Sequence, residues 1–139
     1  MVHLKRAAIV ALCLAAADAA AADSEYPPLE MLLQTDKTVI GQPFEYPSGT
    51  AQITAAIVTM APGESTGWHV HDAPLFAHIL QGEITVDYGP DGPRVYKTGD
   101  SIVEAFKTRH NGTNTGAVPV RILAVFAGVE GVPNTVSEK

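Results

Sequence analysis

AQITAAIVTM (51–60), GWHVH (67–71), LFAHILQ (75–81) and EITVDY (83–88) decide the fold. Each is a short run rich in β-branched or aromatic residues. Turn formers separate them: PSGT before the first, APGEST after it and GPDGP after the last. Short runs of this kind, punctuated by Gly, Pro, Asn and Asp, read as strands. The same texture continues outward, upstream in TVIGQPFEY (38–46) and downstream in RVYKT (94–98), SIVEAF (101–106) and VPVRILAVFAG (118–128). No helical period interrupts it. The expectation is an all-β chain, a single barrel or jelly roll of about eight short antiparallel strands. GPDG is the hairpin turn between 83–88 and 94–98, NGTNTG (111–116) is a further turn, and Gly82 marks a bend or bulge.

The flanks read differently. MVHLKR carries Lys5 and Arg6, AAIVALCLAAA is an apolar run of signal-region length, and Ala20 and Ala22 satisfy the small-residue cleavage pattern. Residues 1–22 are therefore read as a signal peptide, with Asp23 the first mature residue. The protein is expected to be exported: periplasmic, or secreted if the host lacks an outer membrane. Cys13 leaves with the leader, so the mature chain has no disulfide. The formal charge of the 139-residue chain is −6, and the leader carries more basic than acidic residues. This balance argues against nucleic acid and anionic membrane partners, both of which need a basic footprint. No membrane association is expected after cleavage.

Chemistry concentrates in the histidines. His69 and His71 are two apart on a strand-like run, so their imidazoles project to one face. A strand some forty residues downstream can return beside them and bring His110. Three imidazoles on an inner wall suit one divalent metal ion: Fe, Mn, Zn, Ni or Cu. In SIVEAF the period of two puts Glu104 between apolar Ile102 and Phe106 on one face. A buried carboxylate needs a partner. Glu104 is then a fourth ligand, a partner to a ligating imidazole or a general base. The alternative register turns Ser101 and Val103 inward and leaves Glu104 in solvent. His78 lies at an odd offset from Leu75 and should face away from the site. Trp68, Phe76, Phe106 and Phe126 read as core, Asp100, Asn111 and Asn114 as turn formers, Arg109 as outward-facing and Arg121 as part of the last strand.

These residues carry a family resemblance. Gly63 through His69-Val70-His71 to Gly82 resembles the first cupin motif, G-x5-H-x-H-x3-E-x6-G, and Gly99 through His110 to Asn114 resembles the second, G-x5-P-x-G-x2-H-x3-N. The overall pattern is similar to small exported bacterial cupins of the cupin-2 type. The departures are specific. Leu75 stands at the glutamate of the first motif, and Ala105 and Lys107 stand at the proline and glycine of the second. The resemblance implies a cupin domain over 41–130, preceded by an N-terminal arm (23–40) and followed by a C-terminal tail (131–139). It implies a three-histidine metal site like those of some non-haem iron dioxygenases, and a homodimer formed through sheet edges.

Three functions follow. The first is a metal-dependent enzyme acting on a small molecule: a dioxygenase, or an isomerase or lyase if the metal serves as a Lewis acid. The second is a non-catalytic metal or small-ligand binding protein. The third is a structural barrel that keeps the motif for packing alone. Neither Arg109 nor Arg121 reads as a substrate clamp, which weakens the case for an anionic substrate.

Overall fold

The computed structural model describes residues 27–138. Nine strands form among them: β1 (Ala51–Met60), β2 (His69–Val70), β3 (Leu75–Gln81), β4 (Glu83–Asp87), β5 (Pro93–Lys97), β6 (Ser101–Val103), β7 (Asn111–Thr113), β8 (Val120–Val129) and β9 (Val136–Ser137). One sheet has the order β1-β8-β3-β6. Facing it are the sheet β5-β4-β7 and the pair β2-β9, linked through the antiparallel bridges Ser65–Thr113 and His69–His110. All named pairings are antiparallel. The expected all-β cupin-type barrel, or jelly roll, is what forms. No helix among the described residues is long and apolar enough to cross a membrane.

Alternation builds the interior. In β8 the residues Val120, Ile122 and Ala124 are buried while Arg121 is exposed; in β4, Ile84 and Val86 are buried and Tyr88 continues the same face beyond the strand end. Facing side chains of period two fill the space between the sheets. The β4–β5 hairpin closes through a short 3-10 turn at Gly89–Asp91, where the Asp87 carboxylate accepts the Gly89 N–H at 2.8 Å. Gly82 turns β3 into β4 at φ 78°, and a Cβ there would meet the Pro119 carbonyl oxygen at 2.9 Å. The position therefore needs glycine for both conformation and space.

Three segments depart from the sequence expectation. Residues 38–46 make no strand. Gly41 takes φ 82°, Pro43 offers no N–H, and the segment forms only the bridge Lys37–Pro43. Gln42 serves instead as a staple. Its amide accepts the Phe106 N–H at 3.0 Å and donates to the Phe106 carbonyl at 3.2 Å and the Thr108 hydroxyl at 2.8 Å. NGT (111–113) is a strand and not a turn, because β4 has a free side that it fills. Gly112 packs beneath Ile84, so closely that a Cβ would lie 2.8 Å from Ile84 Cδ1. Residues 131–139, read as a tail, include β9, which pairs His69 with Ser137 and Val70 with Val136.

Candidate metal centre

The bridge between the two motifs builds the site. The His69 N–H donates to the His110 carbonyl and the His110 N–H to the His69 carbonyl, both at 3.0 Å. This reciprocal pair sets the two imidazoles side by side with ring centroids 4.4 Å apart. His71, two residues along the first chain, is 4.8 Å from His69 and 5.0 Å from His110 by the same measure. One ring nitrogen from each of the three lies within 4.8 Å of the others.

The donor chemistry fits a metal ion. His69 Nδ1 meets the Gly67 carbonyl at 2.8 Å, His110 Nδ1 the Thr108 carbonyl at 2.8 Å, and His71 Nδ1 the Asn134 carbonyl at 3.1 Å. A carbonyl only accepts, so each Nδ1 carries the hydrogen and each Nε2 keeps a free lone pair. Burial lowers all three pKa values from the usual imidazole range, that of His71 to about 3, with the neighbouring imidazoles adding to the effect at His69 and His71. Neutral imidazoles are the ligating form. His69, His71 and His110 can together hold one metal ion.

The imidazoles open on a cavity of about 220 Å³ between the sheets. Most of its wall is apolar, from Val58 and Met60 through Ile79 and Ile122 to Phe126, whose ring meets that of His71 edge-on at 5.3 Å. The polar remainder is Thr66, Tyr96, Thr135, Ser137 and Glu104; no lysine or arginine among the described residues contributes to the wall.

Glu104 is buried, on the inward register. Its backbone N–H donates to the Leu75 carbonyl at 2.9 Å, so its side chain enters from the strand beside the position where the first cupin motif carries glutamate. It does not join the three histidines in the close-set group of ligating atoms, and the imidazole Nδ1 atoms are bonded to backbone carbonyls rather than to it. Its carboxylate accepts the Ala105 N–H at 2.7 Å and faces the Tyr88 hydroxyl. Burial raises its pKa, an effect opposed by those hydrogen bonds and by His69.

Two tyrosines lie against Glu104, Tyr96 in the cavity wall and Tyr88 behind it, its ring 5.9 Å from that of His110. Tyr88 is fully buried and its hydroxyl lies 3.1 Å from that of Tyr96. The sequence contained the signal for both. Ile84, Val86 and Tyr88 share one face by alternation, and the hairpin register pairs Ile84 with Tyr96.

The remaining expectations sort by face. His78 points away and bonds Ser101 Oγ at 2.8 Å. Asp100 is a turn former, accepting the Lys97 N–H at 2.7 Å. Asn111 lies within β7, where its side chain accepts the Ser65 hydroxyl at 2.6 Å. Asn114 is more than a turn former: it is 1 % exposed and its amide donates to the Met60 and Val118 carbonyls, both at 2.9 Å, tying β1 to the start of β8. Trp68 is half-buried beneath the Arg109 guanidinium, 4.2 Å from the ring centroid, and Arg109 pairs with Glu138 at 2.9 Å. Phe76 and Phe106 are likewise half-buried.

An antiparallel β-barrel with three imidazoles converging on its interior defines a small barrel protein able to hold one metal ion. Residues 56–126, more than half of the chain, match the Cupin domain family, and the chain belongs to that family. No curated protein matches it. Among solved structures it is similar to the DMSP lyase DddQ from Ruegeria pomeroyi DSS-3, at 26% identity and a TM-score of 0.53 over 61% of this chain and 42% of that one. Bacillus subtilis oxalate decarboxylase OxdC, described with Mn(II) centres, is 27% identical with a TM-score of 0.50 over 65% of this chain and 24% of that one. An oxalate oxidase at 24% identity and a TM-score of 0.52, over 61% and 45%, shares the fold. The chain spans less than half the length of these proteins.

Proposed function

We propose that the protein is an exported metal-dependent enzyme acting on a small, largely apolar molecule that is not a dianion. His69, His71 and His110 hold one divalent metal ion, and Glu104 is the acid–base group. One observation carries this reading: three free imidazole nitrogens and one buried carboxyl group open on the same apolar cavity. A divalent ion bound there would polarise a substrate oxygen as a Lewis acid, or exchange electrons if redox-active. The apolar wall excludes water and orients the substrate. Glu104, its pKa raised by burial, is placed to take up or release a proton beside the imidazoles. The cavity adds no cationic side chain to neutralise a dicarboxylate, which separates this site from an oxalate-type substrate. The likeness to a lyase and a decarboxylase at 26% and 27% identity supports the enzyme reading.

The test is elemental analysis of the protein purified from its own compartment, beside the His69→Ala/His110→Ala double variant. Near-stoichiometric metal in the first and background metal in the second is the expected result. Iron directs the search to oxygen-consumption assays, and manganese, zinc or nickel to lyase and isomerase screens. A folded native protein without metal overturns the reading. Metal retained with no turnover across those screens favours the non-catalytic binding protein, a reading that the Leu75 departure supports.

Two further parts of the proposal are separable. Residues 1–22 direct export, so the mature protein should begin at Asp23 by N-terminal sequencing; a retained Met1 overturns this. The outer edge of β1 pairs with a second copy. β1 is ten residues long with no charge or proline, it is bonded to β8 alone among the described strands, and it exposes Ile53 and Ile57. Natural edge strands are normally blunted by such residues. Light scattering should give a dimer that Ile53→Lys/Ile57→Lys converts to a monomer, and a monomeric native protein would exclude the pairing.

A further inference from the structure

The three imidazoles are not anchored alike. His69 and His110 are each held by the carbonyl two residues upstream, Gly67 and Thr108, so their own strand segments orient them. His71 has no such local partner. Its Nδ1 meets the Asn134 carbonyl at 3.1 Å and the Thr135 hydroxyl at 3.1 Å, groups 63 and 64 residues further along the chain. This contact decides which of its nitrogens faces the cavity.

Residues 131–138 are held against the site at several points. β9 pairs with β2, and the Glu138 N–H donates to the Trp68 carbonyl at 2.9 Å. Arg109 clasps Glu138 while stacking on Trp68. The Asn134 side chain is seated over Gly128 of β8, where a Cβ would fall 2.7 Å from its Oδ1 and push that amide aside. Gly128 has no positive φ, so the glycine supplies space and not conformational freedom. The inner side of this strap reaches the cavity through Thr135 and Ser137. Most of its residues are exposed and its ladder is two residue pairs long. Such a segment can shift while the barrel stays folded.

We propose that this C-terminal strap, outside the region matching the cupin family, completes the metal centre: Asn134 and Thr135 are positioning residues that fix the His71 imidazole. The inference rests on the metal-site reading above and adds a part of the chain that neither motif contains. Removing the strap's grip leaves His71 free to rotate and change tautomer, so the site falls from three aligned ligands to two. A lost outer partner of a ligating histidine typically costs ~10-fold to 100-fold in metal affinity.

The experiment uses the mature chain and the variants Gly128→Ala, which crowds Asn134, Thr135→Val, which removes the hydroxyl at nearly constant shape, and Thr135→Ser, which restores it. Co²⁺ is the probe, read by its visible absorption and by competition with a chromophoric chelator. The His71 tautomer is read separately in metal-free protein by imidazole ¹⁵N NMR. The expected result is Co²⁺ binding weakened by ~10-fold or more in Thr135→Val, by a smaller factor in Gly128→Ala, and near native in Thr135→Ser. The His71 signals should lose their single Nδ1–H form in the first two, while those of His69 and His110 keep it. Unchanged Co²⁺ affinity and an unchanged His71 tautomer in both Gly128→Ala and Thr135→Val overturn the proposal. If the native protein binds no Co²⁺, the metal-site reading fails, and the NMR result in metal-free protein still decides whether the strap fixes His71.

Discussion

The three imidazoles and the neighbouring Glu104–tyrosine group are both polar and both buried, with the Tyr88 and His110 rings 5.9 Å apart, yet burial acts on the two groups in opposite directions. In the first the loss of water lowers the pKa of three imidazoles. In the second it raises the pKa of the Glu104 carboxyl and of the Tyr88 and Tyr96 phenols. Desolvation always penalises the charged form, which is the protonated state of a histidine and the deprotonated state of an acid. The imidazoles are thereby kept neutral, the form that can bind a cation, and the carboxyl is biased toward holding a proton. One physical cause sets both protonation states in a single apolar space.

The largest effect should come from neutralising the Glu104 carboxyl while sparing the histidines. Glu104→Gln is expected to lower turnover of whichever substrate the screens identify by ~10²-fold to 10⁴-fold, the usual contribution of a positioned acid or base. Metal content measured in parallel should stay near native. Equal loss of metal and activity would show instead that Glu104 serves the ligands.

The opposed pKa shifts give a second way to break the comparison. In metal-free protein the native state binds fewer protons at its histidines than the unfolded chain does below about pH 6.5. Stability should therefore fall as pH drops from 6.5 toward the depressed His71 value of about 3. Each unit of depression is worth about 1.4 kcal/mol. Glu104 has the opposite sign. Its raised pKa gives stability that is present below the ordinary value of 4.5 and lost as pH rises through the folded-state pKa. Urea unfolding between pH 4 and 8 should show His71→Gln flattening the acid limb and Glu104→Gln flattening the limb above pH 4.5. Parallel changes in the two variants would show that burial does not act on the two groups in opposite directions.

Smaller effects sharpen the picture. Tyr88→Phe removes a buried hydroxyl that serves both Tyr96 and Glu104, and should cost about 1–3 kcal/mol in the same unfolding assay. The smallest effect concerns Lys107. It stands where the second motif has glycine and takes φ 51°, while its N–H donates to the His71 carbonyl at 3.0 Å. Lys107→Gly should stabilise the protein by up to about 1 kcal/mol, the left-handed strain removed exceeding the backbone entropy added. No change in the denaturation midpoint would place that strain elsewhere.

The local patterns were legible wherever a repeat of two ran unbroken. His69 and His71 share a face, His78 falls on the far side, and the interval from Gly99 to Asn114 marked His110 as the histidine that returns beside them; Glu104 was left between two registers, of which the inward one forms. Reading failed where local composition and tertiary need diverged. NGT looks like a turn but fills the free side of β4, and TVIGQPFEY looks like a strand but contains Gly41 and Pro43 and becomes the Gln42 staple. Asn114 looked like a turn residue because burial cannot be seen in its spacing.

The strand class, the two motifs and the pair of imidazoles on one face thus follow from the sequence alone, since alternation along a chain is a local property with a fixed period; that period left two registers open for Glu104, and the fold took the inward one. Only the tertiary structure decided that Tyr88 and Tyr96 meet Glu104, that the Nδ1 atoms bond to carbonyls and leave Nε2 free, and that the apparent tail returns to hold His71. Those contacts join residues far apart in the chain. No local period encodes them: they are settled by which sheet edges pair and which side chains the closing barrel leaves room for.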